Sequence, residues 1–278
     1  MGCPPGEHPG QPLIQVGSRR EYVVALAGNP NTGKSTVFNH LTGLRQHTGN
    51  WPGKTVARAE GTFTHADQRF KLVDLPGTYS LLATSIDEEI ARDFILFDRP
   101  DCTVVVCDTT VLERNLHLVL QILTITDRVV VCANLMDEAG RRKIALEARV
   151  LERELGVPVV PTAARRGDGL DRLMDRVHQV AAGQIRTRPK QVALDPDVDA
   201  ALRTLVSKLE AQIPGLPCPR WIAMRLLEGD ARIEEALLNG ELASLCDGPT
   251  AHGHASVAMA PPGTTTGETA TPEQEAVA

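Results

Sequence analysis

The chain has 278 residues, 42% of them apolar, and a formal net charge of −6. That is enough to bury one sizeable α/β core plus a smaller unit without disulfides or metals. The acidic balance argues against a surface built mainly to neutralise the phosphates of a nucleic acid. No run approaches the ~20 apolar residues of a membrane helix, and no basic start followed by an apolar stretch reads as a signal peptide, so the chain reads as soluble.

Residues 1–20 hold four prolines and four glycines and read as a disordered leader. Residues 247–278 are low-complexity and read as a disordered tail or linker, with His252 and His254 as solvated tail residues. Between the ends, short β-rich runs alternate with helical stretches. Strands are predicted near 22–27, 56–64, 69–74, 102–108, 129–133 and 157–160, and helices near 35–43, 86–98, 112–124, 144–155 and 169–182. Alternation of this kind implies crossovers and a mostly parallel sheet with helices on both faces. Ala66-Asp67, between two of the runs, predicts one antiparallel hairpin at the sheet edge.

Ser85-Ile-Asp-Glu88 has capping-box form before an apolar-periodic run, and Gly156 stops the helix that precedes it. After Ala182 the strand signal disappears. Asp195-Pro196 opens a helix with Val198, Leu202, Leu205, Val206 and Leu209 on one face, and shorter helices follow near 219–228 and 231–239. We read 21–185 as the sheet domain and 190–246 as a small all-α domain packed on it or beside it. The six cysteines include no C-x-x-C pair, and Cys102, Cys107 and Cys132 fall in strand-like runs, as reduced core residues of an intracellular protein do.

Gly28-Asn29-Pro30-Asn31-Thr32-Gly33-Lys34-Ser35-Thr36 carries the pattern G-x-x-x-x-G-K-S between a strand and a helix, the context a phosphate-binding loop requires. Its backbone N–H groups and the positive helix end can wrap phosphates, Lys34 can reach the β and γ groups, and the Ser35 hydroxyl can serve Mg²⁺. Asp74-Leu-Pro-Gly77 ends the next strongly apolar strand, where a carboxylate is needed for the Mg²⁺ shell and a glycine N–H can sense the γ-phosphate. Asn134-Leu-Met-Asp137 puts an amide and a carboxylate at the carboxyl edge of the sheet, where ligand sites of α/β folds lie. Asp137 can accept the N1–H and 2-amino hydrogens of guanine, a donor pair that adenine lacks. Thr162-Ala163-Ala164 then falls where a backbone N–H can meet the guanine carbonyl. Thr55 reads either as a β-branched residue that starts a strand or, by resemblance to GTPase switch loops, as a group that reaches Mg²⁺ and the γ-phosphate when GTP is bound.

In this order the motifs resemble a TRAFAC-type small GTPase domain, an α/β fold of the Ras-like P-loop GTPase kind. The stretches "GNPNTGKSTVFNHLTG", "HTGNWPGKTV", "LVDLPGTYSL", "SIDEEIARDFI", "LERNLHLVLQ" and "NLMDEA" sharpen this. Across about residues 22–182 the chain resembles the cytosolic G domain of the bacterial ferrous iron transport protein B (FeoB) family. The resemblance implies GTP as substrate and GDP as product, and a helical domain that stabilises the GDP state. It also implies a membrane iron-permease domain beyond this chain, small accessory Feo proteins as partners, no nucleic acid, and a place on the cytoplasmic face of the bacterial inner membrane.

Departures from the pattern are few. Leu135 stands where other GTPases carry lysine, which removes a packing contact over the phosphate loop. Thr162 stands where serine is commoner, and Lys54 makes its loop more basic. Trp51 reads either as a solvent-facing aromatic or as a partner contact. Glu88, Glu89 and Asp93 form an acidic helix face that reads as solvated, and no convincing iron site emerges. Two alternatives stay open at this point: a stand-alone assembly GTPase of the ribosome or tRNA-modification type, and a nucleotide-binding scaffold with scarcely any turnover.

Thr78 follows the D-x-x-G where faster relatives place a glutamine, and no arginine is poised as a finger. Some other positive charge is wanted at the transition state, where an arginine finger is worth roughly 10³–10⁵ in rate. The Asn31 amide oxygen is a hard, neutral ligand suited to K⁺, and FeoB-like domains with this asparagine include potassium-activated ones. Asn31, Lys34, Thr55 and Gly77 are therefore the expected catalytic residues, with Asn31 as the K⁺ ligand. The competing reading has Asn31 brace the loop by hydrogen bonding.

Overall fold

The β-branched runs and amphipathic helices assemble, in the computed structural model, into a sheet of order β2-β3-β4-β1-β5-β6-β7 among the described residues. Those residues are 21–43, 46–51, 54–82, 85–190 and 194–244. The expected leader and tail lie outside them, as do Cys3, Cys246, His252 and His254.

The strands are β1 (Glu21–Gly28), β2 (Gln46–Asn50), β3 (Ala57–His65), β4 (Gln68–Asp74), β5 (Cys102–Asp108), β6 (Val129–Asn134) and β7 (Val159–Pro161). β4, β1, β5, β6 and β7 run parallel, whereas β2, β3 and β4 are antiparallel neighbours. Because side chains alternate along a strand, Val23, Ala25, Val73, Val105 and Val131 face one layer of helices. Val24, Leu26, Leu72, Val104 and Cys132 face the other. Cys102, Cys107 and Cys132 are buried free thiols; burial pushes the Cys132 thiol up to about 12, so it stays protonated and unreactive.

Helix α1 (Lys34–Thr42) and helix α6 (Leu170–Ala181) cover the second face with Val37, Phe38, Leu173 and Val177. The first face carries α2 (Ile86–Asp93), α3 (Leu112–Ile125) and α5 (Ala148–Leu155), with a short α4 (Met136–Arg141) between α3 and α5 in sequence. Ser85 caps α2 by accepting the Glu88 N–H at 3.2 Å, which is half of the expected capping box. α2 continues as a π-helical turn over Phe94–Asp98.

The helical segment comprises α7 (Pro196–Gln212), α8 (Pro219–Leu227), α9 (Ala231–Leu238) and α10 (Glu241–Ser244). Asp195 caps α7, with Pro196 in its first turn. Leu202, Leu209, Trp221, Ile222 and Ile233 join the same apolar core as α3 and the sheet face beneath it, so this segment packs on the domain.

Several expectations are corrected. The hairpin at Ala66-Asp67 forms, but it is not the edge: Gln46–Asn50 pairs outside β3. Strand β2 carries no apolar pattern, since its side chains are exposed or only half buried, and the backbone ladder forms without one. The helix expected from 144 begins at Ala148, the strand expected at 157–160 is Val159–Pro161, and α4 was not foreseen. On α7, Val198 is 49% exposed, so the predicted apolar face is narrower than expected.

Candidate active site

The phosphate loop leaves β1 at Gly28 and enters α1 at Lys34. A Cβ at Gly28 would lie 2.6 Å from the Val106 carbonyl oxygen, so the loop can pass β5 only as glycine. Gly33 adopts the left-handed region (φ 84°), and a side chain there would collide with Asn134 Nδ2. No side chain caps the head of α1 and its first turn has no acid. Its orphan N–H groups and positive dipole end are therefore suited to an anion. Thr32 Oγ1 donates to the Asn29 carbonyl at 3.0 Å and braces the loop from inside. Pro30, Asn31, Ser35 and Thr36 are exposed. Asn31 has φ 65° and makes no side-chain hydrogen bond among the described residues.

Parallel pairing sets Leu26 of β1 opposite Asp74 of β4, which carries the D-x-x-G to the phosphate loop. Lys34 Nζ makes an ion pair with Asp74 Oδ1 in a largely buried setting. Burial pushes the Asp74 carboxyl above the ordinary carboxylate range, and the Lys34 charge opposes that rise without cancelling it. Leu75 N donates to Leu26 O at 3.0 Å and Thr78 N to Gly28 O at 3.3 Å. A Cβ on Gly77 would meet Pro30 at 3.5 Å. The segment after Asp74 is thus held against the phosphate loop, a contact that motif spacing alone does not reveal.

Thr55 is exposed on the turn between β2 and β3. That turn is closed by Trp51 N donating to Val56 O at 2.9 Å and Lys54 N to Trp51 O at 3.0 Å. No hydrogen bond joins Thr55 to Lys34, Asp74 or the phosphate loop among the described residues. Trp51 is neither solvent-facing nor available to a partner here. It is 7% exposed, packs edge-on against Phe94 at 5.6 Å and lies under the Arg58 guanidinium at 4.7 Å. Nor is the acidic face of α2 simply solvated: Glu89 pairs with Lys54 at 3.1 Å, and Asp93 with Arg92 at 2.9 Å and Arg232 at 3.3 Å. Among the described residues no group of three or more His, Cys, Asp or Glu side chains could hold a metal ion.

At the other end of the site Asn134 is 1% exposed. Its Nδ2 donates to Thr32 O at 3.0 Å, while its Oδ1 accepts from Ala164 N at 3.0 Å and Thr162 Oγ1 at 3.2 Å. Asp137 sits in the first turn of α4. Leu135 lies over the loop after all, since a Cβ at Gly33 would meet its Cδ2 at 3.9 Å. The N–H groups expected to face a base are engaged within the protein: Thr162 N with Ala133 O at 2.8 Å and Ala163 N with Asp168 O at 3.0 Å.

A phosphate loop heading a helix, a D-x-x-G on the adjacent parallel strand, and N-x-x-D beside a third loop at the same sheet edge define a P-loop GTPase domain. The family model "Ferrous iron transport protein B" matches residues 22–177, and that of the "FeoB cytosolic helical domain" matches 195–249. The chain belongs to the ferrous iron transport protein B family. It is 39% identical over 215 residues to the Fe(2+) transporter FeoB of Escherichia coli (strain K12), covering 76% of this chain and 27% of that protein. A Porphyromonas gingivalis Fe(2+) transport protein A/FeoB fusion protein is also 39% identical, over 212 residues, covering 74% of this chain and 25% of that one. The chain therefore spans about a quarter of the length of these relatives. The cytosolic domain of the T. maritima FeoB iron transporter superposes with TM-score 0.73 at 36% identity in its apo form, covering 79% of this chain and 86% of that one. Its GDP form gives 0.72 at 35% identity, covering 80% and 86%.

Proposed function

We propose that this chain is the guanine-nucleotide-binding, GTP-hydrolysing regulatory part of a ferrous iron membrane transporter. The observation that carries the reading is the meeting of Lys34, Asp74 and the uncapped head of α1 at one point, with Asn134 joining that point to the Thr162–Ala164 loop. In the nucleotide-free protein Asp74 neutralises Lys34. A triphosphate at the head of α1 takes Lys34 onto its β and γ oxygens and releases the carboxylate. Gly77, held against Pro30, turns its N–H toward the γ-phosphate, and Thr55 leaves its exposed turn to close the site.

The donor set fits the implied cations. The Ser35 hydroxyl and Asp74 carboxylate are the hard oxygens Mg²⁺ takes, joined by Thr55 once its loop closes. The Asn31 amide, exposed and without a side-chain hydrogen bond among the described residues, fits K⁺; the brace seen in this loop is Thr32 on Asn29. Held by these residues, the cations would supply positive charge against that building on the phosphates during transfer.

Asp137 reads the guanine edge, with Ala163 N meeting the base carbonyl after it leaves Asp168. Gly28, Asn29, Pro30, Thr32, Gly33 and Thr36 complete the phosphate cradle. The P. gingivalis fusion supports a small accessory protein of the same system as a partner, and the longer relatives, named as Fe(2+) transporters, support a transport part beyond this segment; we place it as a permease domain in the bacterial inner membrane by family resemblance. A stand-alone assembly GTPase is not favoured, because the segment after the G domain matches the FeoB helical domain.

Calorimetry with GDP, ADP and XDP tests the base assignment. Wild type binds GDP alone, and Asp137→Asn moves the preference to XDP. An Asp137→Asn protein that still prefers GDP refutes the pocket.

A further inference from the structure

The stretch "LERNLHLVLQ" has no role in the site as described so far, yet its helix faces the segment that follows Gly77. α3 is fixed to the sheet by Leu118, Val119, Ile122 and Ile125, all at most 2% exposed. Its neighbouring face presents Arg114, His117 and Gln121, spaced three and four apart and so stacked along one side of the helix. Gln121 Oε1 accepts from Leu81 N at 2.7 Å and from Ser80 Oγ at 3.2 Å. Its Nε2 is held by His117 Nε2 at 3.0 Å, which fixes which end of the amide points at Leu81. Arg114 lies over the Tyr79 ring at 4.4 Å.

The segment after Asp74 is therefore tied at both ends. Leu75 N and Thr78 N are held by Leu26 O and Gly28 O, and Ser80 and Leu81 by Gln121. Thr78 Oγ1 also donates to Ser80 O at 2.9 Å, so displacement of Ser80 carries to Thr78 and Gly77. With no glutamine after the D-x-x-G, placement of this backbone joins Lys34 and Thr55 in orienting the γ-phosphate and the attacking water.

We propose that Gln121 is a positioning residue for GTP hydrolysis: it clamps Ser80 and Leu81 to α3 and so sets the backbone at Gly77 and Thr78. The inference rests on the GTPase reading above. Gln121 is only partly buried, so its variants fold.

The test uses the full chain with Mg²⁺, K⁺ and GTP. Gln121→Leu, which keeps the volume but not the acceptor, lowers kcat by about 3–10-fold, the worth of one or two net hydrogen bonds. KM and GDP affinity stay within about twofold, because neither bond touches the nucleotide. Amide hydrogen exchange in residues 78–82 becomes faster. Gln121→Glu keeps the Oε acceptors, lets His117 Nε2 donate to the second carboxylate oxygen, and recovers most of the wild-type kcat.

A Gln121→Leu protein with wild-type kcat overturns the proposal. So does one that is slow while exchange at 78–82 is unchanged, or a Gln121→Glu protein as slow as Gln121→Leu, since either outcome assigns the effect to packing. A wild-type chain that releases no phosphate from GTP overturns the GTPase reading and the inference with it. That outcome is distinct from the others because it appears before any substitution is made.

Discussion

Asn134 Nδ2 donates to the Thr32 carbonyl oxygen at 3.0 Å, joining residues 102 apart in the chain. Its Oδ1 simultaneously holds Ala164 N and Thr162 Oγ1. One buried amide thus ties the phosphate loop to the loop expected to face the base, so the two halves of the nucleotide site share a single joint.

Asn134→Ala leaves Ala164 N and Thr32 O buried without a partner. It should cost about 2–4 kcal/mol in urea unfolding, given ~1–3 kcal/mol for each orphaned polar group. Asn134→Asp should cost a similar amount, because a carboxylate cannot donate to Thr32 O. Loss of nucleotide binding with unchanged stability would instead make Asn134 a ligand of the base alone.

Asp74 and Lys34 give a prediction in pH. The folded-state carboxyl lies above its ordinary value, so the folded chain holds that proton more tightly than the unfolded one. This contribution favours the fold at low pH and is lost as pH rises through the raised value. Lys34→Ala removes the one opposing charge and should move the Asp74 titration, followed by carboxyl NMR in nucleotide-free protein, further upward. A downward movement would mean the ion pair does not form in solution.

Much of this architecture was legible in the sequence, and the exceptions have physical reasons. Cys102–Asp108 is legible in full because both faces of that strand are buried and four of its seven residues are β-branched around an apolar centre. β2 is illegible because "QHTGN" offers no buried face, and α4 because six residues containing Gly140 are too short to show a helical period. The motifs located Lys34, Asp74, Asn134 and Asp137, but not the burial of Trp51, since an aromatic in a polar loop does not reveal what it packs against. Arg92 was the least legible of all. It is fully buried, and a charged residue in an amphipathic pattern reads as surface.

That arginine binds the helical segment to the G domain, with Arg92 Nη1 donating to Asp230 Oδ2 at 2.9 Å and Nε to Asp93 Oδ1 at 2.9 Å. Asp230 also caps α9, so Asp230→Asn keeps the cap while removing the charge. It should destabilise the protein by roughly 3 kcal/mol, at the lower end of what a broken buried pair costs. Val198→Ala, at an exposed position, should change stability by less than about 0.5 kcal/mol. Equal, small effects from both would place the joint between the domains elsewhere.

Asn31 predicts a cation effect. K⁺ should accelerate GTP hydrolysis well beyond Na⁺ at matched ionic strength, and Asn31→Ala should abolish the difference while sparing GDP affinity. Rates indifferent to K⁺ would leave Asn31 without a catalytic role.

The central claim is that this chain hydrolyses GTP at the point where Lys34 and Asp74 meet. Steady-state phosphate release with Mg²⁺ and K⁺ tests it most directly, comparing GTP with ATP and wild type with Lys34→Ala. The account predicts release from GTP alone, lost in Lys34→Ala. Phosphate release from ATP at a comparable rate, or an undiminished rate in Lys34→Ala, would contradict it.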